Sequence, residues 1–146
     1  MDRTDYRILN ILQVDCRATL KCIGDQVGLT APAVLERVHK MEKNGIILNY
    51  KISVNRDKLD FNISGFIFVA ATAKNYSKFC DFCREHPSII QHHHTVGVYN
   101  ALLRFSVHNA RELDELLAAI KNYGDSRTSV ELNTYFYSKD IPLPEK

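Results

Sequence analysis

Residues 19–45, TLKCIGDQVGLTAPAVLERVHKMEKNG, decide how the first third of the chain folds. Leu20, Ile23 and Val27 recur at helical spacing, and Gly28 stands where a helix stops and the chain must turn sharply. Leu29 is an apolar plug for the space between two helices, and Thr30 is a good N-cap. Pro32 is tolerated in a first helical turn, where its missing N–H has no intrahelical partner. Val34, Val38 and Met41 then form one buried stripe at i, i+4 and i+7, and Asn44-Gly45 ends the segment. The spacing predicts a helix from about Thr19 to Val27 and another from about Thr30 to Lys43. Upstream, Ile8, Leu9, Ile11 and Leu12 predict a supporting helix, with Asp5 near its start. Two helices joined by about three residues around a glycine make the DNA-binding helix-turn-helix pattern. A plain three-helix bundle has the same spacing, so the stretch by itself leaves both readings open.

Outward from it, Ile46-Ile47-Leu48-Asn49-Tyr50-Lys51-Ile52 predicts a short strand, the wing of a winged helix-turn-helix. The polar run Asn55-Arg56-Asp57-Lys58-Leu59-Asp60 predicts a linker. The expected organisation is residues 1–50 as reader, 51–63 as linker and 64–146 as a second domain. That second part alternates strands and helices. Gly65 to Thr72 is an almost wholly apolar strand, and Tyr76, Phe79, Cys80 and Cys83 form a helical stripe closed by His86-Pro87. Ile89 to Val96 and Tyr99 to Val107 read as strands meeting at Gly97-Val98. Asn109 caps a helix whose core face is Leu113, Leu116, Leu117 and Ile120, with Glu112 at the capping-box position. The last strand is expected over Ser129 to Tyr137, followed by an exposed Pro142-Leu143-Pro144 tail. The fold class is therefore α+β, an N-terminal winged helix-turn-helix plus a C-terminal ferredoxin-like βαββαβ domain. Helices cover one face of a four-stranded sheet, yet Gly65 to Thr72 is apolar on both faces. A second copy is the cheapest cover for the other face, which predicts a two-fold dimer.

Of the 146 residues, 45% are hydrophobic and 25% charged, as expected of a globular protein with a core. No apolar run reaches the ~20 residues needed to cross a bilayer. The start, Met1-Asp2-Arg3-Thr4-Asp5, carries no secretory pattern. The expected location is the cytoplasm, where Cys16, Cys22, Cys80 and Cys83 stay reduced. The net charge is +2, with ten Lys/Arg against eight Asp/Glu through residue 60 and nine against nine after it. That is no signature of a nonspecific nucleic-acid binder; a few placed cations must act, doubled by dimerisation.

Four further pieces fall in a specific order. Asp2 and Asp5 precede Ile8-Leu9; Asp15-Cys16-Arg17 lies between the first two helices; Gly28 to Val38 contains the third helix's start; Glu42-Lys43-Asn44-Gly45-Ile46-Ile47 ends it. With that order the chain resembles the Lrp/AsnC, or feast/famine, regulators over nearly its whole length. The resemblance implies a DNA-binding domain linked to a ferredoxin-like sensing domain that pairs, assembles further into tetramers or octamers, and binds an amino acid between subunits. It implies effector contacts at Gly97, Val98, Tyr99, Asn100 and Thr134. Here the family's Gly-Asp-Tyr-Asp hairpin stands as Gly97-Val98-Tyr99-Asn100, which removes both carboxylates that an ammonium group would pair with.

In the helix-turn-helix reading the third helix lies in the major groove with its N-terminal residues at base edges. Thr30, Ala31, Pro32, Ala33 and Leu35 offer hydroxyl and apolar contacts, the latter suited to thymine methyls. Arg17, Lys21, Arg37, Lys40 and Lys43 are phosphate-contact candidates, each weighed against a solvated charge or an ion pair. Arg37 has a specific competitor in the acidic residues of the first helix. The partners expected are double-stranded DNA, further copies of the chain and an amino acid, with no membrane and no cofactor.

Two signals point elsewhere. Cys80-x-x-Cys83 has no second such pair and lies on the apolar stripe, so core packing is the reading. His92-His93-His94 on a strand puts His92 and His94 on one face and His93 on the other, so the three cannot ligate one metal together, although the His92-x-His94 pair could hold two positions of a metal or form a pH-sensitive interface. Two alternative functions remain: an architectural DNA-compacting protein without effector, and an enzyme like the siroheme decarboxylases, whose histidine-rich strand and Tyr-Asn are loosely similar to His92-His93-His94 and Tyr99-Asn100.

Overall fold

The computed structural model describes residues 1–144; Glu145 and Lys146, the end of the expected 64–146 domain, lie outside the described residues. The chain forms two compact units, one of Met1–Ser53 with the tail from Phe136, the other of Val54–Tyr135.

The first unit holds three helices, α1 (Arg3–Val14), α2 (Leu20–Val27) and α3 (Ala31–Lys43). Each boundary has a local cause. Asp2 and Asp5 exchange side-chain and backbone hydrogen bonds in a reciprocal capping box, closing two orphan N–H groups at the start of α1. The Thr19 hydroxyl accepts from the Cys22 N–H at the start of α2, and Gly28 caps its end in a left-handed conformation (φ 77°). Ile8, Leu9, Ile23, Val27, Val34, Val38 and Met41 form the core, so each stripe read in the sequence faces the other two helices.

The expected wing strand over 46–52 does not form. The Ile46 and Ile47 N–H groups donate to the Met41 carbonyl, and no strand is assigned among the described residues between α3 and Ile63. The alternation of this segment is strand-like, but the unit offers no neighbouring strand to pair with. The tail is also not free. Gln13 receives the Ile141 N–H at 2.8 Å and donates to its carbonyl at 3.2 Å, and Leu143 packs against the helical core. An apolar residue two positions along found uncovered helix surface, which outweighed the flanking prolines.

The second unit is β1 (Ile63–Ala71), α4 (Tyr76–Glu85), β2 (Ile89–His94), β3 (Ala101–Val107), α5 (Ala110–Ile120) and β4 (Gly124–Val130), the βαββαβ order expected. The sheet is antiparallel in the order β2-β3-β1-β4. Ile67, Val69, Leu103 and Phe105 on its inner face pack with Phe79 and Cys83 of α4 and Leu116 and Ile120 of α5. The last strand runs over 124–130, not 129–137. Gly65 pairs with Val130 and the Glu131 N–H still reaches the Ser64 carbonyl, but β1 begins at Ile63 and offers nothing beyond. The apolar residues that signalled a strand, Leu132 to Tyr137, follow the paired segment instead of forming it.

On the outer face, Phe66 lies under the Arg104 guanidinium (5.5 Å) and Phe68, 37% exposed, beside the Tyr99 ring (6.0 Å). No helix among the described residues is long and apolar enough to cross a membrane.

Candidate nucleic-acid interface and effector loop

Helix α3 has one face committed to the core through Val34, Val38 and Met41. At 100° per residue, the pole opposite that face carries Pro32, Glu36, His39, Lys40 and Lys43, all exposed. Thr30 occupies the N-cap position but its hydroxyl makes no capping bond, leaving it available at the helix start. Leu35 is exposed beside this pole, whereas Ala31 and Ala33 are half-buried on its flanks. Arg17 and Lys21 are exposed near the start of α2, where the Arg17 N–H closes a turn on the Asp15 carboxylate (2.9 Å).

Arg37 lies elsewhere. One of its terminal nitrogens is 2.7 Å from both the Asp2 and Asp5 carboxylates. The ion pair holds the Asp2 carboxyl below its ordinary range and raises the Arg37 guanidinium. The two aspartates thus cap α1 and tie α3 to it, fixing the angle at which α3 is presented. Glu42 likewise accepts from the Tyr50 hydroxyl at 3.0 Å. Arg7 donates to the Gln26 carbonyl near the end of α2.

Sequence reasoning overlooked Glu36 and His39. The periodicity that sent Val34, Val38 and Met41 inward already sent these two outward. Neither is a lysine, an arginine or a side-chain amide, the residue types that mark DNA contact in a sequence.

In the second unit the hairpin tip spans Thr95 to Asn100, longer than the two residues expected. Gly97 turns it at φ 144°, a conformation open to glycine, and Val96 and Val98 are 102% and 85% exposed. Asn100 explains the late start of β3. Its N–H donates to the Val69 carbonyl, its Oδ1 accepts the Ala71 N–H at 2.8 Å, and its Nδ2 donates to the Ala71 carbonyl at 2.8 Å. The side chain behaves as one more ladder residue for β1. The Thr95 hydroxyl is also occupied, donating to the Tyr99 carbonyl at 2.7 Å. Tyr99 lies on Phe68 of the outer face, and Thr134 is half-buried beyond the end of β4.

The three histidines split between faces as the strand reading required. The His92 ring meets Phe79 edge-on at 5.3 Å, and burial lowers its pKa, helped by His93 and His94. His94 Nδ1 bonds the Tyr76 hydroxyl. Cys83 is buried in the core, its thiol pushed up to about 12 by desolvation, far from reactive.

Residues 1–42 match the AsnC-type helix-turn-helix domain, and residues 64–141 match the Lrp/AsnC ligand binding domain. The HTH-type transcriptional regulator LrpB of Bacillus subtilis is 33% identical over 125 residues, 86% of this chain and 84% of that protein. The solved structure of Bacillus subtilis LrpC aligns with a TM-score of 0.87 at 22% identity, over 94% of this chain and 99% of that one. The transcriptional regulator NMB0573 of Neisseria meningitidis, solved as an L-Met complex, aligns at 0.89 with 20% identity, over 97% and 96%.

Proposed function

The chain belongs to the Lrp/AsnC family of helix-turn-helix transcriptional regulators, and on that premise we propose that it acts as a homo-oligomer reading double-stranded DNA through α3. The observation that carries this reading is the outward pole of α3. Lys40 and Lys43 stand exposed there while Arg37, one turn away, is withdrawn into an ion pair that fixes the helix. Thr30, Pro32 and Leu35 supply hydroxyl and apolar contacts at the N-terminal end, with Arg17 and Lys21 on phosphates. The partner copy covers the outer sheet face with its Phe66, Phe68 and Tyr99 equivalents, giving a dimer that assembles further and presents readers in pairs. The protein works in the cytoplasm and carries out no catalytic step.

The effector proposed is an amino acid or related small metabolite, the class to which the L-Met of the Neisseria regulator belongs. Val96 and Val98 suit an apolar side chain. Asn100 is spent on β1, so an ammonium group must find its partner elsewhere at that end of the sheet. Asp125, exposed on β4 opposite Ala70, is the carboxylate the register brings there. Because the tip itself lacks a carboxylate, a DNA-compacting protein without effector is the second reading.

Selection of bound genomic fragments, with and without an amino-acid mixture, tests both. Discrete inverted-repeat sites that change with the mixture are expected. Uniform coverage that ignores it would overturn the regulator reading in favour of compaction.

A further inference from the structure

The outward pole of α3 contains a carboxylate, and that is the least expected group on a surface meant for a polyanion. Glu36 is exposed, sits in the N-terminal half of the helix, and makes no ion pair among the described residues. Lys40, one turn on at i+4, is not within ion-pair distance, and Arg37 is held by Asp2 and Asp5. At every phosphate, Glu36 opposes binding. On a duplex, the groups that reward it are the amino donors at base edges in the major groove. These are cytosine N4 and adenine N6.

Of the two, the adenine amine is the worse match. It stands between two acceptors, its own N7 and the thymine O4, both of which repel a carboxylate. Cytosine N4 has one flanking acceptor, the guanine O6. Glu36 has acceptor capacity only, so it cannot satisfy N7 as an amide would.

We propose that Glu36 is a specificity-determining residue that accepts a hydrogen bond from cytosine N4, selecting a C·G pair at one position of each half-site. This rests on the DNA-reading role of α3. It also answers an otherwise awkward inventory, since the other N-terminal residues of that helix, Ala31, Pro32, Ala33 and Leu35, bring apolar contacts. The carboxylate supplies discrimination by weakening binding to every wrong base more than to the right one.

The experiment is selection from a random duplex library with the full chain, as wild type, Glu36→Gln and Glu36→Ala, followed by titration of single duplexes. The wild type is expected to enrich a site with cytosine at one position per half-site. Glu36→Ala loses the preference there alone, and the ratio between the cytosine duplex and its substituted versions falls about tenfold or more. Glu36→Gln moves the preference toward adenine, which a side-chain amide reads through N6 and N7. If all three proteins enrich the same site, or if both substitutions raise affinity equally for every duplex, Glu36 is a bystander charge and the proposal is overturned. A wild type that binds all duplexes alike also overturns it, while leaving DNA binding intact. A wild type that binds none removes the DNA-reading role itself.

Discussion

Replacing Asn100 with aspartate would restore the family's carboxylate to the hairpin with almost no change in shape, and the fold should resist it. Asn100 uses both ends of its amide on one residue, accepting the Ala71 N–H and donating to the Ala71 carbonyl, each at 2.8 Å. An aspartate keeps the first bond, loses the second, and brings an anionic oxygen against the Ala71 carbonyl. Losing the bond costs about 1 kcal/mol net, and a half-buried acceptor left facing an anion adds roughly 1–3 kcal/mol. A loss of about 3 kcal/mol corresponds to a rise of about 2 units in the new carboxyl's pKa, from the ordinary ~3.9 to about 6. The sign follows. A folded pKa raised above the unfolded one leaves the penalty small below pH ~4 and complete once the pH passes about 6. The protonated acid can donate to Ala71, so by pH 4.5 only about a third of the penalty should remain. Urea unfolding of wild type and Asn100→Asp at pH 7 and pH 4.5, followed by circular dichroism, reads this directly. Amide exchange at Ala71 gives the local view. Equal unfolding midpoints at pH 7, or a deficit that does not shrink on acidification, would refute the assignment of Asn100 to the β1 ladder.

Gly24→Ala should cost roughly 1–3 kcal/mol and abolish DNA binding, because an added Cβ would overlap the Leu29 backbone carbonyl in the turn that sets α3. Thermal unfolding and fluorescence anisotropy on a bound duplex measure the two effects, and a variant with wild-type values in both would show that the turn yields. Burial lowers the pKa of both His92 and His86. Depressed values leave full stability above the ordinary ~6.5 and withdraw it as pH falls below that, so the sensing unit should melt at lower temperature at pH 5.5 than at pH 7.5. The His92→Gln variant should show a smaller drop; a drop unchanged by it would take His92 out of the account.

How much of this was legible in the sequence depended on whether a residue's partner was local. The three helices of the reader, the Gly28 stop and the stripe at Val34, Val38 and Met41 follow from spacings within about a dozen residues, and the structure keeps them, although the Thr30 hydroxyl makes no capping bond. So do the βαββαβ order and the split of His92 and His94 from His93. What failed was strand extent, because a strand ends where its neighbour ends. The length of β4 is set by β1, some sixty residues away, and residues 46–52 alternate like a strand with nothing in their own unit to pair with. The tail misled for the same reason, since its fate hung on Gln13. Site residues divided similarly. The competition for Arg37 was foreseen, but the capture of Asn100 by Ala71 was not, because hydrogen-bonding capacity in a sequence does not say where it is spent.

Where side-chain capacity is committed also decides how so weakly charged a chain could grip DNA. The signature residues Asp2, Asp5, Asp15, Arg37 and Glu42 all turn inward on the protein as caps, turn closures and ion pairs. They build the angle of α3 and contribute no free charge to its outer pole. Exposed on the outer pole of α3 and at the start of α2 are the cations Lys40, Lys43, Lys21 and Arg17, with Glu36 and His39 among them. Each phosphate contact contributes a modest, salt-dependent increment, and these four cations offer one copy at most four such contacts. A second copy doubles that number. The outer sheet face, where Phe66 lies under Arg104 and Phe68 beside Tyr99, supplies apolar surface that a second copy would bury. Under the proposed pairing the two problems, assembly and reading, are one: the framework commits its charges to geometry, and a second copy would add the phosphate contacts that one copy lacks.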